Sequence, residues 1–169
     1  MTPTLDEIEQ ALMRLLPPVL PPAPEAAVAT ASPAVVPPVQ RADPNKKGYD
    51  LDATVASDQV VAAARVIDGL GFGLDTITGV DWMAAGQMEV VYDFFHPLAS
   101  LHLVLRTRVP RERPEVATIS EVFPGANWHE RETHDFFGIR FLGHPDLTPL
   151  LLPEDADFHP LRKDYAGAA

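Results

Sequence analysis

Between Trp128 and Asp146 the chain gathers most of the side chains that could do chemistry. They are His129, Glu130, Glu132, His134, Asp135, His144 and Asp146, with His159 further on. Imidazoles and carboxylates are the ligands of hydrolytic metal centres. A metal-dependent hydrolase using His129, His134, His144 and Asp146 is therefore one reading. The spacing argues against it. His129 and His134 are five residues apart, which separates them by about 140° around a helix, whereas the zinc helix motif uses a four-residue step. His144 and Asp146 flank Pro145 in a loop and would need help from distant residues. His144 reads better as a structural histidine in a turn, and His159, ahead of Pro160, as a fixed extended residue. No phosphate-binding glycine loop, nucleophile elbow or dinucleotide fingerprint is present.

Composition narrows the classes further. The chain has 169 residues and no cysteine. Thiolate-bound iron–sulfur clusters, disulfides and thiol nucleophiles are thereby excluded. Acidic side chains number 24 against 13 basic ones, a formal net charge of −11. That balance disfavours nucleic acid, which needs a basic face, and adhesion to anionic lipid. Asp6, Glu7 and Glu9 stand where a signal peptide would be basic. No apolar run is long enough to span a bilayer, so no direct membrane insertion is expected.

The elements that must position these residues fall into four segments. Residues 1–16 form a short N-terminal helix, capped by Thr4, with Leu5, Ile8, Leu12 and Leu15/Leu16 as its stripe. Either it is nascent helix in a disordered tail, or it docks on a partner at the end of a leash. Residues 17–45 form a Pro/Ala-rich linker; nine of the 18 prolines lie between Pro17 and Pro44, which favours an extended tether. Residues 46–141 form the folded domain, and residues 142–169 an extended C-terminal tail.

Within the domain a helix starts at Ser57, buries Val60, Ala64 and Ile67, and ends at Gly69 or Gly71. Asp75 to Trp82 reads as a strand, and Gln87–His96 with Leu101–Val109 as a hairpin. Setting His96 opposite Leu101 puts Phe94 opposite Leu103, Tyr92 opposite Leu105 and Met88 opposite Val109 on one face. Glu89 then meets Arg108 on the other face, where Val91 lies beside Arg106. Two helices should follow, each opened by a capping box: Thr118-Ile119-Ser120-Glu121 and Asn127-Trp128-His129-Glu130. Gly138 is placed to end the second. The fold class expected is α+β, a mixed or antiparallel sheet with helices packed on it.

The second helix crowds Glu130, Arg131, Glu132, His134 and Asp135 between Trp128 and the pair Phe136-Phe137. Such a helix suits a sandwiched position, its charges satisfied by neighbours. Beyond it, Pro145, Pro149, Pro153 and Pro160 leave the tail with few local hydrogen bonds. The tail must lie across its own domain or another subunit.

The run from Pro124 through Trp128-His129-Glu130-Arg131-Glu132-Thr133-His134-Asp135-Phe136-Phe137-Gly138-Ile139 resembles the signature of the 30 kDa subunit family of respiratory complex I. The likeness continues through Gly143-His144-Pro145-Asp146-Leu147, Leu152-Pro153-Glu154-Asp155 and His159-Pro160-Leu161-Arg162-Lys163-Asp164-Tyr165. It covers roughly Asp75 to Tyr165. The family includes the C subunit of NADH:quinone oxidoreductases and its equivalent in energy-converting nickel–iron hydrogenases. Three places depart from the family pattern. His134 stands where Tyr or Trp is common. Thr148-Pro149 replace a pair of arginines, and Asp157-Phe158 stand where glycine is usual. The missing arginines and the run of three leucines between prolines look more like the hydrogenase-type relatives.

The resemblance implies a non-catalytic scaffold in the peripheral, hydrophilic arm of a membrane-associated oxidoreductase, on the cytoplasmic face of the inner membrane. It implies no cofactor bound by this chain; iron–sulfur clusters and nickel–iron or quinone sites belong to partner subunits. The partners implied are the large hydrogenase-like (49 kDa-type) subunit, wrapped by the tail, and the small iron–sulfur subunit. The residues implied to bind them are Trp128, Glu130, Arg131, Glu132, Asp135, Phe136, Phe137, Gly138, His144, Pro145 and Asp146. His159, Pro160, Leu161, Arg162, Lys163 and Asp164 complete the set. Arg131 and Asp135 would fix the helix by ion pairs, and Arg162 and Lys163 would reach the partner's carboxylates or carbonyls.

Overall fold

The computed structural model describes residues 2–15 and 38–167. Its sheet is mixed, with strand order β1-β2-β5-β4-β3. The strands are β1 (Val39–Arg41), β2 (Leu51–Val55), β3 (Gly73–Trp82), β4 (Gln87–His96) and β5 (Leu101–Pro110). The β4–β5 hairpin has the register read from the sequence: His96 pairs with Leu101, Tyr92 with Leu105 and Glu89 with Arg108. Alternation holds that register, because a one-residue slip would turn Met88, Val90, Tyr92 and Phe94 out of the core. β2 lies parallel to β5, pairing Leu51 with Leu103.

One face of the sheet is covered. Helix α3 (Val60–Gly69) buries Val60, Ala63, Ala64 and Ile67, and a 3-10 turn at Ser57–Gln59 leads into it. Gly71 then reverses the chain at φ +88°, a conformation that glycine takes without strain. Helix α4 (Ala126–Phe137) packs on β3 on the same side as the buried hairpin face. Gly79 makes this approach possible, since a Cβ there would lie 2.5 Å from the Phe137 ring. A small parallel pair, β6 (Glu115–Ala117) and β7 (Arg140–Leu142), closes the domain beside α4. The other sheet face carries a polar lattice in which Arg106 pairs with Asp52 and Arg108 with Glu89, each at 3.0 Å.

Three expectations change. The N-terminal helix, α1 (Leu5–Leu15), docks on its own domain: Ile8 and Leu12 are fully buried in the common core. Thr4 and Glu7 cap it reciprocally, and Arg41 on β1 binds both Asp6 and Glu9. The domain also begins before residue 46. Val39 to Arg41 already forms an edge strand, and Asp43 caps a short helix α2 (Pro44–Lys47). The greater part of the expected linker, 17–37, lies outside the described residues. Finally, Thr118 to Glu121 is a turn, so one helix follows the hairpin instead of two. The Thr118 hydroxyl that would have capped a helix hydrogen-bonds Glu130 instead.

Candidate functional site

Helix α4 opens without a side-chain cap at Gly125, so Asn127 lies inside the helix and its expected box does not form. The fourth residue of that expected box, Glu130, turns inward. Its carboxyl accepts the Ile119 N–H at 2.8 Å and contacts the Thr118 hydroxyl. Burial pushes this carboxyl up to about 7, against the lowering pull of those two hydrogen bonds. His144 packs beside it, its Nε2 3.9 Å from the Glu130 carboxyl. The His144 ring accepts the Asp146 N–H at Nδ1 and so donates from Nε2 to the Asn127 carbonyl at 3.2 Å. The neighbouring Tyr92 hydroxyl is raised well above its ordinary range, first by burial and then by the Glu130 charge.

The other end of α4 is where the tail is fastened. A helix leaves its last four carbonyls without intrahelical partners. Here all four are taken. The Gly138 N–H donates to His134 O at 2.8 Å. His159 Nδ1 donates to Asp135 O at 2.8 Å, the Leu161 N–H to Phe136 O at 3.1 Å, and Arg162 Nε to Phe137 O at 2.7 Å. Gly138 is indispensable to this packing. Its φ is +71°, and a Cβ there would fall 2.5 Å from both His159 and Arg162. The segments Phe136-Phe137-Gly138 and His159-Pro160-Leu161-Arg162, far apart in sequence, thus form one joint.

Two more anchors flank it. The Asp135 carboxylate accepts the N–H groups of Leu150, Leu151 and Leu152 at 2.8, 2.7 and 3.2 Å. Arg131 donates to the Thr148 and Pro149 carbonyls at 2.9 and 3.0 Å. At the tail's far end the Lys163 N–H donates to Asp81 at 2.9 Å, while Arg111 grips Asp81 with two bonds and Asp164 with a third. Burial pushes the Asp81 carboxyl up, but the Arg111 hydrogen bonds, the Lys163 N–H and the two cationic charges together hold it below its ordinary range.

The expected site residues therefore divide. Glu130, Asp135, Gly138, His144, His159 and Arg162 meet in this chain, at α4 and the tail. The expected ion pairs of Arg131 and Asp135 are instead hydrogen bonds to backbone. Arg162 reaches the Phe137 carbonyl of α4, and the Lys163 backbone serves Asp81. Trp128 points outward, 60% exposed with Arg131 over its ring, and Leu151 is equally exposed. Leu161 is exposed too, and Phe158 stacks on Tyr165 at 5.5 Å. Phe136 and Phe137 are half-buried and Glu132 is exposed. Pro145 carries the turn between His144 and Asp146, whose carboxylate accepts the Thr148 N–H. Pro160 lies between the two anchoring residues His159 and Leu161.

The metal-hydrolase reading loses its donors. His134 Nδ1 donates to Ile139 O, both His144 nitrogens are engaged and Asp146 holds a turn. Among the described residues no three His, Asp or Glu side chains come close enough to share a metal. Sequence reasoning missed Asp81, Arg111 and Gly79. Nothing local to Arg111 marks a partner 30 residues away.

Residues 53–169 match the sequence profile of the respiratory-chain NADH dehydrogenase 30 kDa subunit. The chain belongs to this family. It is 43% identical over 98 residues to the C subunit of the F(420)H(2) dehydrogenase of Methanosarcina mazei, covering 56% of this chain and 60% of that one. With the C subunit of the NADH-quinone oxidoreductase of Roseiflexus castenholzii it is 40% identical over 120 residues, covering 68% and 69%. The match thus spans about three fifths to two thirds of these relatives. Among solved structures, a chain of the archaeal membrane-bound sulfane sulfur reductase aligns at TM-score 0.63 with 29% identity, over 68% of this chain and 71% of that one. A trypsin-resistant fragment of Nqo5 aligns at TM-score 0.53 with 28% identity, over 61% and 92%. The shared α+β fold is that of the 30 kDa subunit. No helix among the described residues is long and apolar enough to cross a membrane.

Proposed function

We propose that this chain is a non-catalytic structural subunit in the peripheral arm of a complex-I-like oxidoreductase at the cytoplasmic face of the cell membrane. It holds and orients a large hydrogenase-like subunit beside a small iron–sulfur subunit for electron transfer coupled to ion translocation. The observation that carries this reading is the way the tail is fastened. Backbone and polar groups of the tail are bound by α4, Asp81 and Arg111, while the side chains of Leu151 and Leu161, like that of Trp128 on α4, are left exposed. Exposed apolar side chains on a backbone already fixed in place lose little entropy on binding and suit a permanent interface. Without cysteine the chain cannot hold a cluster through thiolates, so redox centres are assigned to the partners and none to this chain.

Purification through a tag on this chain, followed by mass spectrometry, tests the assignment. The expected companions are a large hydrogenase-like chain and a small iron–sulfur chain. Recovery of the chain alone, or one tightly held metal ion per isolated chain, would contradict it. Replacing Trp128 and Leu151 by alanine should weaken association by about 2 kcal/mol or more if either is a buried anchor.

A further inference from the structure

The two edges of the sheet are treated differently. β1 is only three residues long, follows Pro38 and ends on Arg41, which binds two carboxylates from α1. Short length, proline and charge are the usual guards of an edge. β3, at the opposite edge, runs for ten residues. A register shift between Leu74 and Thr76 guards its start, and the tail crosses its end at Asp81. Between them, Thr76 to Gly79 is regular strand with no partner strand on its outer side among the described residues. The Thr133 hydroxyl reaches this stretch's backbone, 3.5 Å from the Ile77 carbonyl.

A slot of about 140 Å³ lies along this edge. It is lined by the four consecutive residues Thr76, Ile77, Thr78 and Gly79, together with Phe136, Phe137 and Leu161. Successive strand residues alternate between faces, so a hollow that touches all four runs along the strand's edge. Glu132 and Thr133 line it as well, so the wall opposite the strand is mixed, with its apolar part supplied by Phe136, Phe137 and Leu161. The Glu132 carboxylate lines it and Asp75 directly precedes Thr76 in the strand; both are exposed and neither has an ion-pair partner among the described residues.

The geometry points to strand addition: an extended segment of a partner subunit pairs with β3 at Thr76–Gly79, seats an apolar side chain against Phe136, Phe137 and Leu161, and brings basic side chains to Asp75 and Glu132. This mode supplies affinity through main-chain hydrogen bonds and specificity through side-chain pockets. A second copy of this chain is the wrong occupant. It would set the same carboxylates against each other, between molecules that each carry a net charge of −11. The inference rests on the subunit reading and adds to it the place and chemistry of one contact.

The test uses the full chain, alone and in the complex recovered through its tag, followed by amide hydrogen exchange. Amides of residues 76–79 should exchange at least about tenfold more slowly in the complex. The double variant Asp75→Lys/Glu132→Lys should weaken assembly by about tenfold while leaving the thermal unfolding of the isolated chain unchanged. Unchanged exchange at 76–79 in an intact complex, or full affinity of the double variant, would overturn strand addition and leave the subunit reading standing. Protection in a particle with the mass of a homodimer would overturn the occupant. A chain recovered without companions would overturn both readings.

Discussion

Asp135 holds Leu151: the carboxylate of one accepts the backbone N–H of the other at 2.7 Å, and the N–H groups on either side share the same oxygen. A segment punctuated by prolines cannot satisfy its own N–H groups, so one carboxylate does so for three residues. The same contact turns the Leu151 side chain outward. Asp135→Ala leaves those groups without an acceptor, at a local cost of about 2 kcal/mol. The domain should stay folded while residues 148–165 become sensitive to limited proteolysis. Resistance equal to that of the wild type would show that the tail is held by other means.

Glu130 makes the fold sensitive to neutral pH. Its carboxyl titrates at about 7 in the folded chain against an ordinary 4.5, so between these values the folded state binds the extra proton. Stability should therefore fall as pH rises from 4.5 through 7, by about 3 kcal/mol in all. The groups that face this carboxyl are His144 and Tyr92, with the Thr118 hydroxyl and the Ile119 N–H. Glu130→Gln keeps an acceptor for the Ile119 N–H and sets its amide N–H group against the Thr118 hydroxyl, which can rotate from donating to accepting. It should flatten the slope in denaturant titrations at pH 5, 6, 7 and 8. A variant that keeps the wild-type slope would place the titrating group elsewhere.

Arg111 and Asp81 give the opposite pH sign. The Asp81 carboxylate is buried and held below its ordinary value of 3.8. Its contribution is in full effect at neutral pH and is lost as pH falls below 3.8 through the folded value. Arg111→Leu strands a buried charge and should cost about 3 kcal/mol at pH 7. The gap between variant and wild type should close in acid, as followed by chemical unfolding.

How much of this could be read beforehand depends on sequence separation. The hairpin register was legible because a period of two, a charge pair and a short loop all agreed on one alignment. The stripe of Leu5, Ile8 and Leu12 and the left-handed stop at Gly138 were legible for the same local reason. β1 and β2 were not. Three residues after a proline pair carry no period, and the partner of Leu51 is Leu103, far along the chain. Thr118-Ile119-Ser120-Glu121 misled because a capping box is a local pattern. A buried carboxyl on another helix made the better use of its hydroxyl. The residues around α4 could be singled out by type, but their partners are backbone groups of a distant segment, which no side-chain pattern encodes.

Gly79 sets the distance between α4 and the sheet. A methyl group at this position would overlap the Phe137 ring, 2.5 Å from its nearest atom. The clash falls near the ring's stem, so the helix itself must move. Gly79→Ala should cost about 2 kcal/mol, and Phe137→Leu in the same chain should recover part of it. Non-additivity in this double-mutant cycle is the measurement. Simple addition of the two losses would mean that the contact does not control the packing.

The N-terminal helix belongs to the core although a proline-rich stretch separates it from the rest of the domain. Ile8 and Leu12 are fully buried with Val39, Ile67 and Leu103, so the domain without α1 would expose an apolar hollow. Leu12→Ala opens a cavity that a packed core closes only in part, which costs about 3 kcal/mol. Arg41→Ala, which frees the exposed Asp6 and the half-buried Glu9, should have a far smaller effect, because solvent screens such pairs. The order of the two effects in equilibrium unfolding distinguishes a helix held by burial from one held by charge. If Leu12→Ala changed stability by less than Arg41→Ala, α1 would be a surface appendage held by its ion pairs.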